Sequence, residues 1–254
     1  DVLREVSKRS FEGKLNEDTC DEVANLLIPG KRADFRCCIY KEKEIIRQRT
    51  RMAMGKPPVP VEHENKRQIV RVIDAACDGC SIHKIQVTDN CRKCMAKACL
   101  SACKFDAIHM GNDHAFIDYD KCKECGACKN ACPFNAIVET QRPCMKSCPV
   151  DAISMGESGL AEIDEEKCIN CGACQAKCPF GAIEDMSWMV DVIEELKKGT
   201  EMYAIFAPAM QGQFDNATLP QVMEGIRQLG FRDVYEAAIG ADAVAWYEKE
   251  DAKK

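Results

Sequence analysis

The 254-residue sequence lacks any apolar run near the roughly 18 residues that a membrane-spanning helix needs. Its first residues, Asp1 to Lys8, lack the apolar core of a secretory signal. An excess of basic residues is missing too: 35 Lys plus Arg stand against 41 Asp plus Glu, which argues against nucleic acid as the main partner. These absences set the expectation of a soluble, cytoplasmic protein with no membrane and no nucleic-acid partner. There is no initiating Met, so a piece of a longer chain is expected.

Cysteine, by contrast, is abundant, with 19 residues or about 7% of the chain. An odd number grouped as C-x-x-C fits metal binding in a reducing compartment better than a disulfide framework. The length allows one large or two modest domains with cores of their own.

The densest stretch is Lys121 to Phe134, where Cys122, Cys125, Cys128 and Cys132 precede Pro133 in the spacing C-x-x-C-x-x-C-x-x-x-C-P. The run recurs at Cys168, Cys171, Cys174, Cys178 and Pro179. This is the spacing of iron–sulfur ligand runs. Three thiolates set two residues apart can wrap one face of a cubane, while the fourth sits one turn further on and points away. The proline after it prevents the turn from continuing as helix. Cysteines in such runs read as ligands and not as nucleophiles.

Four segments share an ending: Cys103-Lys-Phe-Asp-Ala-Ile108, Cys132-Pro-Phe-Asn-Ala-Ile137, Cys148-Pro-Val-Asp-Ala-Ile153 and Cys178-Pro-Phe-Gly-Ala-Ile183. Their intervals of 29, 16 and 30 residues imply two duplicated pairs joined by a shorter step. Each pair has room for a β-hairpin, Ile108 to Ile117 in one and Ile153 to Ile163 in the other.

Residues 1–66 read as a polar helical segment. A helix from about Cys37 to Met54 carries Lys41, Lys43, Arg47, Arg49 and Arg51, either as a solvated face or as a docking face for an acidic redox partner. Pro57-Pro-Val-Pro60 reads as a linker. Residues 67–90 are expected to form a β-hairpin, with strands Gln68 to Ile73 and Ile82 to Val87 on either side of Cys77-Asp-Gly-Cys80. Alone, that C-x-x-C could be half a zinc site. Units at 91–143 and 144–185 follow. In 186–254 the strands Tyr203 to Ala207 and Asp233 to Ala238 alternate with helices, including a last one from Ala241 to Glu248. Thr218-Leu-Pro-Gln221 is a capping box. The alternation implies the start of a parallel sheet, with its face left uncovered.

From about Cys91 to Ile183 the chain resembles two-cluster bacterial-type ferredoxins. In that family each cluster takes three cysteines from one half and the fourth from the other. The resemblance implies a 4Fe–4S cluster on Cys91, Cys94, Cys99 and Cys132, a second on Cys122, Cys125, Cys128 and Cys103, and a third on Cys168, Cys171, Cys174 and Cys148. The sequence departs from the pattern twice. The first segment inserts Met95-Ala-Lys-Ala98 between two ligands and has Lys104 in place of proline. The third keeps only Cys144 and Cys148. Cys77 and Cys80 supply a C-x-x-C of the missing type, so a fourth site of Cys77, Cys80, Cys144 and Cys178 closes the arithmetic and leaves Cys20, Cys37 and Cys38 over. A zinc site there, or a pairing of the second and fourth segments with the third as an insertion, remains open.

The stretch Ala204-Ile-Phe-Ala-Pro-Ala-Met-Gln211, with Gly225-Ile-Arg-Gln-Leu-Gly-Phe-Arg-Asp-Val-Tyr235, resembles the opening of the catalytic domain of FeFe-hydrogenases. The resemblance implies an electron-relay region feeding a hydrogen-activating site, whose cysteines come later than this segment. No cysteine follows Cys178. The implied partners are a redox protein such as a ferredoxin and the remainder of the catalytic domain. A non-enzymatic polyferredoxin subunit and a structural zinc protein are the alternatives. The expected fold class is α+β: two ferredoxin-like iron–sulfur repeats of the two-cluster type, then the start of an α/β parallel-sheet domain, all behind a helical N-terminal segment.

Overall fold

A computed structural model describes residues 1–61, 68–81 and 83–251. Helices α1 (Val2–Phe11), α2 (Thr19–Leu27) and α3 (Ile39–Ala53) lead the chain. Strands β1 (Val70–Val72) and β2 (Ile85–Val87) lie on either side of the Cys77–Cys80 turn. The first unit contains α4 (Ala98–Ala102), β3 (Ile108–Met110), β4 (Ala115–Ile117), α5 (Ala127–Ala131) and β5 (Ile137–Glu139). The second repeats it with α6 (Pro143–Ser147), β6 (Ile153–Met155), β7 (Ala161–Ile163), α7 (Ala173–Lys177) and β8 (Ile183–Asp185). Then come α8 (Met189–Lys197), β9 (Tyr203–Phe206), α9 (Leu219–Gln228), β10 (Asp233–Glu236) and α10 (Ala237–Asp251).

Each unit holds an antiparallel hairpin, with Ile108 opposite Ile117 in one and Ile153 opposite Ile163 in the other. The expected hairpin of residues 67–90 does not form. Strand β1 pairs instead with β8, Val72 opposite Ile183, and β2 pairs with β5, Val87 opposite Ile137. The reason is hydrogen-bond supply. In each unit the hairpin strands satisfy each other, so the closing strand needs a partner from elsewhere. Segment 68–90 is therefore shared between the two units, its earlier strand serving the later unit. Ile82, at the start of the expected second strand, lies outside the described residues, as do residues 62–66 at the end of the expected N-terminal segment.

Two small cores result. Ile85, Ile108, Ala115, Ile117 and Ile137 pack together in the first unit, and Val70, Ile153, Ala161 and Ile183 in the second. A third cluster joins Ile45 and Met52 of α3 to Ile73, Ala76, Ala182 and Met186. The N-terminal segment thus packs on the second unit. Pro57 and Pro58 are buried and Pro57 O accepts from Arg51 Nε at 3.0 Å, while Val59 and Pro60 are exposed.

The cations of α3 have partners within the chain. Lys41 pairs with Asp78, Lys43 donates to Asn25 at 2.8 Å, Arg47 pairs with Asp21 at 2.6 Å, and Arg49 reaches Gly181 O at 2.9 Å. Strands β9 and β10 run parallel, Tyr203 beside Asp233. Around them Ile205, Ile239, Val244 and Trp246 stay exposed. The capping box forms, with Gln221 Oε1 accepting from the Thr218 N–H at 2.8 Å. Helix α10 starts directly after β10, four residues earlier than the sequence pattern places it.

Candidate iron–sulfur centres

The shared six-residue ending is a device for aiming a backbone N–H at sulfur. Cys103, Cys132, Cys148 and Cys178 each follow a five-residue helix in extended conformation. Three residues on, Asp106, Asn135, Asp151 and Gly181 adopt the left-handed region, with φ of 49°, 50°, 49° and 57°. Asp, Asn and Gly are the residues that tolerate it. That bend returns the next amide, so Ala107, Ala136, Ala152 and Ala182 donate to the preceding Sγ at 3.4, 3.4, 3.2 and 3.3 Å. The isoleucine that follows is buried in every case and anchors the turn. Glu124 and Asn170, also left-handed, donate to Cys122 and Cys168 at 3.4 Å each. Amide donors of this kind stabilise thiolates and tune whatever they ligate.

Three cavities are each walled by four cysteines. One is lined by Cys91, Cys94, Cys99 and Cys132, another by Cys103, Cys122, Cys125 and Cys128, a third by Cys148, Cys168, Cys171 and Cys174. Small residues leave the space: Ala98, Ala115 and Ala136 in the first, Gly126 and Ala127 in the second, Gly172 and Ala173 in the third. Burial pushes the Cys99, Cys128 and Cys174 thiols up, nearby backbone N–H groups oppose it, and neighbouring thiolates of the same cavity add to the rise.

Cys77, Cys80, Cys144 and Cys178 also come together. Burial pushes the Cys144 thiol up, the Met145 N–H opposes it, and the charges of Cys178, Cys77 and Cys80 raise it further. Cys77 accepts the Ala161 N–H at 3.4 Å, as Cys91 accepts that of Ala115, the equivalent strand residue, at 3.5 Å. Cys77 thus takes in the second unit the place that Cys91 takes in the first. Its turn is held from the N-terminal segment. Asp78 pairs with Lys41 and, at 3.0 Å, with Arg36, while Arg36 also donates to Phe180 O at 3.0 Å. Glu42 accepts the backbone N–H groups of Asp34, Phe35 and Arg36, which lower its pKa and fix the loop that presents Arg36.

The donor sets fit iron–sulfur groups: four soft thiolates per site, small neighbours and amide N–H groups aimed at sulfur. Among the described residues no three Cys, His, Asp or Glu side chains close to the distance of a single-ion site. Cys20 sits half-buried in α2, and Cys37 and Cys38 are exposed before α3.

Residues 115–138 match the family model of the 4Fe-4S binding domain, residues 138–189 that of the LdpA Fe-S cluster-binding domain, and residues 200–254 that of the iron only hydrogenase large subunit, C-terminal domain. A ferredoxin of Alicyclobacillus acidocaldarius subsp. acidocaldarius is 42% identical over 55 residues, 22% of this chain and 70% of the relative. The chain belongs to the ferredoxin family. Ferredoxin 7Fe of Hydrogenibacillus schlegelii is 41% identical over 51 residues, 20% of this chain and 65% of that protein. Ferredoxin-1 of Caulobacter vibrioides is 37% identical over 51 residues, again 20% of this chain, and the match spans 45% of its length. This ferredoxin carries multiple 4Fe–4S clusters in electron-transfer domains, followed by a hydrogenase-like C-terminal domain. No helix among the described residues is long and apolar enough to cross a membrane.

Two side chains at the sulfurs escaped the sequence reading. Arg142 Nη1 lies 3.7 Å from Cys77 Sγ, and Gln68 Nε2 lies 3.4 Å from Cys168 Sγ. They stand 65 and 100 residues from those cysteines, and no local pattern signals either contact.

Proposed function

We propose that this ferredoxin is the electron-relay portion, with the start of the catalytic domain, of an FeFe-hydrogenase-like oxidoreductase. It moves single electrons between an external carrier, such as another ferredoxin, and a hydrogen-activating site outside these 254 residues. The observation that carries this reading is the order along one chain: cysteine-walled cavities first, then the hydrogenase-like segment from residue 200.

The geometry suits a relay of four 4Fe–4S clusters, one on each set of four cysteines. Helix α5 has Cys128 of one set within it and Cys132 of the neighbouring set just after it. Four residues of helix rise only about 6 Å. Helix α4 separates Cys99 from Cys103, α6 separates Cys144 from Cys148, and α7 separates Cys174 from Cys178 in the same way. Each cluster supplies reversible one-electron storage when bound; the protein supplies the thiolates, the amide donors and the spacing. Exposed Cys125 and Cys171 bring two of the sites to the surface, where a carrier can exchange electrons. The exposed apolar side chains around β9 and β10 support a face that further catalytic-domain polypeptide covers.

The test is to read the coding sequence past Lys254 and to assay the encoded protein for hydrogen-dependent reduction of a low-potential dye. Further cysteine motifs with dye reduction support the proposal. Neither motif nor activity overturns it and leaves a polyferredoxin subunit that docks to a separate oxidoreductase, a reading that the ferredoxin relatives favour.

A further inference from the structure

We propose that Arg142 raises the reduction potential of the cluster on Cys77, Cys80, Cys144 and Cys178, so that a single electron settles there within the relay. This rests on the four-cluster reading above. Arg142 precedes α6 and is 7% exposed. Its guanidinium donates from Nε to Ser81 O at 3.2 Å, from Nη2 to Gly159 O at 2.7 Å and from Nη1 to Cys77 Sγ at 3.7 Å. Among the described residues no carboxylate pairs with it. A buried charge without a counter-charge is costly, and the negative charge in contact with this one is thiolate sulfur.

Among the described residues the other three sites lack this feature. Among the described residues, the first unit's sulfurs accept only backbone N–H groups, at Cys91, Cys103, Cys122 and Cys132. Cys168 receives Gln68, which is a neutral donor. Arg92, Lys93 and Lys97 line the first cavity and Lys123 lines the second, but all four are exposed and so screened by water. A guanidinium keeps its proton at any working pH. Its field therefore always favours the state with one more negative charge, and the N–H···S contact acts in the same sense. The event it biases is transfer of one electron from a neighbouring reduced cluster, which is oxidised by one electron as this one is reduced by one. No bond forms or breaks and no proton moves.

The test is an anaerobic potentiometric titration of the whole chain, followed by electron paramagnetic resonance, on wild type, Arg142→Gln, Arg142→Lys and Cys80→Ala. The wave lost in Cys80→Ala should be the highest-potential wave of the wild type. Arg142→Gln should lower that wave by at least a tenfold change in the one-electron equilibrium, about 59 mV, with the others in place. Arg142→Lys, which keeps the charge, should lower it less. If Arg142→Gln loses the cluster, the wild-type ranking and Arg142→Lys still decide. Loss of a wave other than the highest in Cys80→Ala, or an unmoved wave in Arg142→Gln, overturns the role of Arg142 and leaves the relay standing. Loss of no wave in Cys80→Ala removes the fourth site and this proposal with it.

Discussion

At the scale of single residues, the left-handed turn after each bridging cysteine is where sequence choice and cluster chemistry meet. Asn135 at φ 50° lets the Ala136 N–H reach Cys132 Sγ. A β-branched residue there should cost about 1–3 kcal/mol through backbone strain. Asn135→Val is expected to lower the midpoint of anaerobic thermal unfolding, whereas Asn135→Gly should leave it nearly unchanged; equal midpoints for the two variants would show that the bend is not what matters. The repeat Cys-x-x-Asp/Asn/Gly-Ala-Ile was legible as a repeat because every residue of the device lies within six positions. Arg142 and Gln68 were not, because folding alone brings them to sulfur.

At the scale of elements, the hairpins Ile108 to Ile117 and Ile153 to Ile163 were legible, while the strands around the Cys77–Cys80 turn read as a third hairpin and their pairings, β1 with β8 and β2 with β5, were not. The latter are set by which strands are left with unpaired backbone groups, a property of the assembled unit. The charge on α3 was likewise legible but its partners were not, since Asp78 and Gly181 lie far along the chain. The Cys77–Cys80 turn shows how tightly elements fit: a Cβ built on Gly79 would stand 2.2 Å from the Phe180 ring. Gly79→Ala should therefore displace the turn and lose one cluster selectively, checked by iron content and paramagnetic signal; four intact clusters in that variant would contradict the packing. Strand β5 offers a pH test. Hydrogen bonds from Lys129 and Lys84, each at 2.8 Å, hold the Glu139 carboxyl at about 2, below its ordinary 4.5. A depressed folded pKa gives a contribution that is complete above about pH 4.5 and lost as pH falls toward about 2. The unfolding difference between wild type and Glu139→Gln should shrink across that window, and a difference constant through it would show that the two lysines do not hold the carboxylate.

At the scale of the whole molecule, a duplicated pair of small cores positions thiolates around cavities. The second unit has no leading C-x-x-C of its own, and the upstream Cys77–Cys80 turn reaches the corresponding position, steadied by Arg36 and Lys41 of a segment whose composition gave no hint of that task. The chain beyond residue 185 carries two parallel strands with apolar side chains exposed around them. Four 4Fe–4S clusters, as proposed, use sixteen of the 19 cysteines in four sets of four. Iron, sulfide and zinc analysis of anaerobically purified protein decides whether all four sets hold clusters. Four clusters give on the order of 16 iron atoms per chain and no zinc. About 12 iron atoms with one zinc would contradict the proposal at the site of Cys77, Cys80, Cys144 and Cys178.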